Sequence, residues 1–440
     1  MTNKERLELA RWVVGQCKRA GADDAAVNVN FQRSVDVDHR DHKIDQLKES
    51  TQNSLSLSIY LGGRYSNHTT NDLRRETLGR FIEEAVAMTR YLTPDPDRSI
   101  TDIKYCQGLV ERDLKLVDSA YESVTSAERV RIARECEEAA WTGGDRVVSC
   151  LGNYSDSYGE SVLVLSNGFE GQSSGTFFSA YADVTMKDAN DVRVDDYEYG
   201  GGRFRRDIPS PQTLGRKAIE RTQAKFGQVK MASGGYDMIV QNRAASKLIG
   251  GTLSCLAGIN IYRKNSFLVD KLGERIGVEK FTMIDDPFIE SGIGSKLYDG
   301  DGMVSRRRVL IEKGVLKSYL IDWFYSCKLK MEPTTGGYSN LVYEYGDKPL
   351  DGLIKRAKKA ILVTSFVGGN SNNTTGDFSY GVIGHYIEDG RIVRPINEMN
   401  VSGNYGELWN QLVEMGNDPY ILSGNRRPSM YFKDVQFAGL

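Results

Sequence analysis

The sequence predicts an α+β protein, in which mixed layers of helix and strand lead into a large, mainly antiparallel, β-rich C-terminal domain. Three observations carry this reading. Ser54–Leu61 (SLSLSIYL) alternates apolar and polar residues without a break, the pattern of a half-buried strand. Asn3–Arg19 and Ser126–Trp141 instead carry their apolar residues at helical spacing, and Thr125 or Ser126 can cap the second of them. Val309–Ile321 (VLIEKGVLKSYLI) and His385–Ile396 (HYIEDGRIVRPI) each read as strand, Glu-x-Gly turn and strand, and few helices come between them.

In chain order, residues 1–100 form an N-terminal α+β unit. Helix Asn3–Arg19 is followed by strands at Ala25–Phe31, Val35–His39, Ile44–Ser50 and Ser54–Leu61, then a helix within Asp72–Tyr91. Pro94–Pro96 marks a boundary. Residues 101–232 form a middle α+β unit, with helices at Ser126–Trp141 and Leu214–Phe226 around strands Val147–Tyr154, Ser161–Ser166, Gly171–Lys187 and Asp195–Tyr199. Asn167-Gly168 is a two-residue hairpin signal, and Gly200-Gly201-Gly202 reads as a loop without the residues of a phosphate loop. Residues 233–440 form the β-rich domain, with a helix at Leu353–Ala360.

Composition narrows the function classes. At 440 residues, with 40% hydrophobic and 26% charged residues, the chain can build several ordinary cores. A net charge of −2 provides no broad positive field for nucleic acid, and no apolar run approaches the roughly 18–20 residues of a membrane span. The charged first helix lacks the apolar centre of a secretory signal, and the six scattered cysteines suit free thiols in a reducing cytoplasm.

Residue patterns alone yield no catalytic centre. His39 and His42 read as part of a solvated hairpin turn without a third ligand. Asp299-Gly300-Asp301-Gly302 opens like a calcium loop but has Leu310 at the twelfth position, and Asp285-Asp286 reads as a turn. Ser379 and His385 lie six residues apart along one strand, a poor spacing for a dyad. Tyr236–Gly258 reads as a strand, a cap at Asn242, a helix and a left-handed stop at Gly258, yet Met238–Val269 contains no Asp, Glu or His. Cys255 is the one metal-binding side chain there.

Longer stretches resemble a known family. Thr375–Asn404, Asn260–Ile276, Glu414–Pro419 and Arg427–Gly439 are similar to signature blocks of the TldD–PmbA family, as are Lys43–Ser50, Thr70–Leu73 and Ser166–Gly171. The family resembles a cytosolic zinc-dependent protease system for flexible peptides, and the name modulator of DNA gyrase is also attached to it. The resemblance implies two branches. A TldD-like branch carries His-Glu-x-x-x-His on a helix of the C-terminal domain, with a later cysteine completing the zinc site. The PmbA/TldE-like branch lacks these ligands and pairs with the catalytic subunit. Here Gly250, Gly251 and Cys255 stand where His, Glu and the second His would be, and no cysteine follows Cys327.

The resemblance thus implies a PmbA/TldE-like subunit with no cofactor of its own and zinc only in a TldD-like partner. It would act as a heterodimer with that partner or as a homodimer, on unfolded peptides, without direct contact to nucleic acid or membrane. Arg263, Lys264, Ser379, Tyr380 and Gly381 are its peptide-binding candidates. A gyrase-regulating binding protein and a hydrolase with an unrecognised site are the alternatives.

Overall fold

The structure is a computed structural model describing residues 1–440. Its first part is built from two successive αβββα units. Helix α1 (Asn3–Arg19) precedes β1 (Asp24–Arg40), β2 (Lys43–Leu61), β3 (Arg64–Thr70) and α2 (Arg75–Thr89). Helix α3 (Ser126–Trp141) precedes β4 (Val147–Leu165), β5 (Glu170–Lys187), β6 (Arg193–Gly202) and α4 (Pro211–Gln223). The two halves share one antiparallel sheet of order β3-β2-β1-β4-β5-β6, joined at its centre by β1 and β4. The expected break near residue 100 therefore separates the αβββα halves but not the sheet. Alternation explains which face is covered. Val27 and Val29, in register with Val164 and Val162, lie with the apolar residues of α1 and α2 in one core, and Tyr154, Phe178 and Ala180 do the same under α3 and α4.

Local chemistry sets the ends of these elements. Thr2 and Glu5 form a capping box at the start of α1, and Thr125 caps α3. Gly168 turns the β4–β5 hairpin at φ +102, a conformation that suits glycine. Four expected strands prove to be halves of longer ones: Ala25–Phe31 and Val35–His39 are both within β1, and Ile44–Ser50 and Ser54–Leu61 within β2. Likewise, Val147–Tyr154 and Ser161–Ser166 are joined through polar residues into β4. Gly200–Gly202, expected as a loop, continues β6, because a Cβ at Gly201 would lie 2.1 Å from the Phe178 carbonyl oxygen and only glycine allows that approach. Of the two histidines expected in a solvated turn, only His42 lies there: Asp41 and His42 form the exposed β1–β2 turn, whereas His39 belongs to β1. His39 is buried with Nδ1 against the Glu137 carboxylate, and His42 stacks on Trp141 at 5.4 Å.

The second sheet begins at β7 (Gly234–Val240), followed by α5 (Ser246–Leu256) and α6 (Gly258–Tyr262). A small four-stranded sheet comes next, made of β8 (Met283–Asp285), β9 (Arg308–Glu312), β10 (Val315–Leu316) and, after α7 (Trp323–Leu329), β11 (Leu341–Tyr343). Helix α8 (Leu350–Arg356) leads to β12 (Lys359–Ser371), β13 (Asp377–Glu388) and β14 (Arg391–Asn404), then α9 (Tyr405–Leu408), β15 (Leu412–Met415) and β16 (Met430–Ala438). The order β14-β13-β12-β7-β16-β15 closes on itself where Asn400–Ser402 pairs with Gln436–Ala438. The result is barrel-like and antiparallel apart from β7 against β12.

Three boundaries differ from expectation. The helix expected at Leu353–Ala360 ends at Arg356, and Ala360 is already buried in β12. Asn242 does not cap α5; its side-chain amide donates to the Asp418 carbonyl and its N–H to Ser429 Oγ. Gly258 is no left-handed stop. It opens α6 and lies so close to α7 that an added Cβ would meet Tyr325 Cβ at 3.0 Å.

Candidate functional site

Helix α5 presents Leu248, Ile249, Leu253 and Leu256 to the largest core of the molecule. Gly250 is exposed, and nothing stands within 4 Å of where its Cβ would be. Gly251 faces inward, and its missing side chain makes room for Tyr405. A Cβ there would fall 2.1 Å from Tyr405 Oη and 2.3 Å from Cζ. Tyr405 is held in place by a 2.8 Å hydroxyl contact with Tyr380 and by Phe378, whose ring centroid is 4.9 Å away. Burial and the Tyr380 hydroxyl push its phenol pKa far above the ordinary value. One residue further along α5, Thr252 Oγ1 accepts from Trp409 Nε1 at 2.9 Å, and Trp409 stacks on Phe281 at 4.2 Å.

Zinc, the metal the resemblance implies for the catalytic branch, finds no donor set at this place. Gly250 and Gly251 have no side chain, and the Cys255 thiol is fully buried and pushed up to about 11 by that burial. The Cys255 Sγ lies against the Asn373 carbonyl, and the rings of Tyr405, Tyr380 and Phe378 pack together beside Gly251. No three His, Cys, Asp or Glu side chains converge elsewhere in the chain to hold a metal ion. The space beside Gly251 is filled by an aromatic plug.

The five peptide-binding candidates have different surroundings. Arg263 and Lys264 lie exposed just after α6, and Ser379 is exposed on β13. Tyr380 points the other way, 2% exposed, with the Lys247 ammonium 4.7 Å above its ring centroid. Gly381 packs against the Val367 carbonyl. Ser379 and His385 are separated by six residues of extended strand, roughly 20 Å, and His385 Nε2 is taken by the Ala224 carbonyl.

One large cavity is not revealed by residue patterns. It measures about 980 Å³ and lies where β1, β4 and β5 meet residues 112–117 and 295–298. The sheet face turned away from the helices is small and polar there. Asn30, Ser161 and Ser173 stand in one register row, and Gln32, Gly159 and Gly175 in the next. Tyr298 closes one end by packing its ring over Gly171. Arg203 closes another, donating to the carbonyls of Thr176 and Ile293 and so tying the two halves of the molecule together. The available signal was the parity of Ser, Gly, Asn and Gln on three strands, visible only once their register is known.

Residues 120–226 match the PmbA/TldA metallopeptidase central domain and residues 233–439 the corresponding C-terminal domain. Metalloprotease PmbA of Escherichia coli O157:H7 is 27% identical over 421 residues, covering 95% of this chain and 93% of that protein. The crystal structure of a candidate modulator of DNA gyrase from Bacteroides thetaiotaomicron is 38% identical and superposes with a TM-score of 0.97 over the whole of both chains. TldE from Thermococcus kodakarensis shares the fold, with a TM-score of 0.87, 19% identity, and coverage of 98% of this chain and all of that one. Matched domain by domain and superposed from end to end, this chain belongs to the PmbA/TldD family.

Proposed function

We propose that this protein is a PmbA/TldE-type subunit that is not itself catalytic and supports a TldD-like, zinc-bearing partner in the proteolysis of flexible peptides. The observation that supports this most is the aromatic plug. Gly251 leaves its side-chain volume to Tyr405, and Cys255 on α5 is joined by no second and third His, Cys, Asp or Glu that could complete a zinc site. No helix is long and apolar enough to cross a membrane, and six free cysteines, five of them buried, fit the reducing cytoplasm in which the subunit would work.

Co-expression with a TldD-like subunit tests the reading. Copurification, zinc held by the partner alone, and peptide cleavage that needs both chains are the expected results. Stoichiometric zinc in this chain alone, or cleavage by it that survives a chelator, would refute it. The name of the Bacteroides relative, a candidate modulator of DNA gyrase, supports a second reading, a gyrase-binding regulator. Capture of gyrase without any protease subunit would favour that one.

A further inference from the structure

The cavity on the first sheet combines two features that together select a ligand. The first is a free strand edge. Strand β6 pairs with β5 only from Phe178 onward, where it ends at Gly202, so no strand lies alongside Glu170–Gly175 on that side. Residues 172–177 of β5 all line the cavity, and beyond the Thr176 amide, which donates to the Leu116 carbonyl, the edge faces open space. Such an edge recognises an extended main chain by backbone hydrogen bonds with little regard for sequence.

The second feature is charge. Five cations line the cavity, namely Arg112, Lys115, Arg203, Arg206 and Lys296, against two carboxylates. Both carboxylates are already engaged. Glu160 pairs with Arg6, and Asp113 Oδ1 accepts the Lys115 amide. Lys115 is paired with Glu290 at 2.6 Å, and Lys296 donates to the Gly337 carbonyl. Arg112, Arg203 and Arg206 form no ion pair. Arg203 is the most telling of these, because its Nε is buried without a partner and its bonds reach only carbonyls. Burial alone pulls its pKa below the ordinary value, with no carboxylate to hold it up.

We propose that this cavity binds an extended peptide bearing carboxylate side chains, which adds as a strand to the free edge of β5 at Gln172–Gly175 and turns its acids toward Arg112, Arg203 and Arg206. The volume lies at the upper end of the roughly 300–1,000 Å³ of ligand sites, room for a short stretch of chain. The paired glycines Gly159 and Gly175 keep the floor low, and Ser161, Ser173 and Asn30 both donate and accept, as a peptide main chain requires. A single-stranded nucleic acid would seek open aromatic faces. Of the four rings in the lining, Phe31 lies under the Arg6 guanidinium at 5.0 Å, Phe204 under that of Arg206 at 4.3 Å, and Tyr298 is wedged over Gly171 and against Phe169, which leaves Phe177 alone, too few for a stacking platform. This inference deepens the proposed function, on which it rests for the flexible peptide, and it assigns the acidic subset of such peptides to a site outside the barrel.

Fluorescence polarisation on the isolated full-length chain tests it, with a short labelled flexible peptide rich in Glu, its Gln counterpart, and the Glu peptide N-methylated at alternate amides. The Glu peptide is expected to bind, with affinity falling as salt rises, and each of the other two to bind about tenfold more weakly or worse. The paired substitution Arg112→Gln and Arg206→Gln, at two exposed positions that leave the fold intact, should weaken the Glu peptide by a similar factor. Equal binding of Glu and Gln peptides, no loss on N-methylation, no binding at all, or displacement by an oligonucleotide of equal charge would each overturn it. No zinc or partner enters this assay. A chain that binds the peptide but joins no protease fails only the subunit reading, whereas one that supports cleavage but ignores charge fails only this inference.

Discussion

Replacing Gly250 and Gly251 by alanine, one at a time, tests the aromatic plug, because the two glycines are adjacent on one helix and meet opposite surroundings. At Gly250 the new methyl group enters open space, so the substitution removes the helix penalty of glycine and should stabilise by about 0.5–1 kcal/mol. At Gly251 the same gain is opposed by Tyr405. The methyl group would sit 2.1 Å from Oη, against ordinary contacts of 3.4–4 Å, so a ring that is 1% exposed must retreat by about 1 Å or more. Overpacking of this kind costs about 1–3 kcal/mol, and loss of the Tyr380 hydroxyl bond adds about 1 kcal/mol. The net expectation is a destabilisation of about 1–3 kcal/mol, read as a lower urea midpoint at unchanged slope. In a Tyr405→Ala background the clash disappears, and Gly251→Ala should turn mildly stabilising, a coupling of at least about 1 kcal/mol. If Gly251→Ala raised the midpoint of the wild-type background as Gly250→Ala does, Tyr405 would not occupy this space and there would be no aromatic plug.

Thr252→Val should cost about 1–3 kcal/mol by leaving the buried Trp409 Nε1 without its acceptor, and Thr252→Ser should recover most of the loss in the same urea titration. Thiol labelling of the native protein should modify Cys327, the one cysteine not fully buried, and spare Cys255; rapid loss of the Cys255 thiol in native buffer would contradict its burial. Asp301 lies where the two halves of the molecule meet, with its carbonyl accepting from Thr101, and burial followed by the neighbouring Asp299 raises its pKa from 3.8 to about 6. The folded state therefore keeps a proton that the unfolded chain releases, so stability should fall as pH rises from about 4 to 6. Asp301→Asn should flatten that slope and stabilise the protein at neutral pH by about 1–3 kcal/mol, and a variant no more stable than wild type at pH 7.5 would refute the assignment.

Much of the fold was legible because its parts obey local rules. Asn3–Arg19 and Ser126–Trp141 carry their own caps and apolar stripes, and both helices occupy those ranges. The Asn167-Gly168 turn needed no tertiary information. The readings that failed depend on partners distant in sequence. Asn242 looks like a helix cap until Asp418 and Ser429, far along the chain, are seen to claim it. His39 looks solvated until α3 lays Glu137 over the end of β1. The glycines of β6 look like a loop until β5 is seen to run close beneath them. At α5 the resemblance pointed to Gly250, Gly251 and Cys255, but what packs against this helix was hidden, because Tyr405 and Trp409 lie some 150 residues further along the chain.

The part of β4 that looks least like a strand lines the large cavity. Residues 155–160 (SDSYGE) separate the two expected strands with the composition of a loop, yet they are mid-strand, each paired on both sides. A strand tolerates such residues when both of its faces are provided for. On the helix side Asp156 is buried against Arg129 at 2.6 Å and receives the Tyr154 hydroxyl, which replaces the hydration an acid would otherwise lose. On the other side Ser157 and Gly159 face the large cavity, where small polar groups remain free to bond. An ordinary solvated sheet face would carry longer charged side chains there, and these would fill the cavity. The loop-like composition in the middle of β4 thus reflects a surface kept low and polar beside a free strand edge, as an incoming main chain would require.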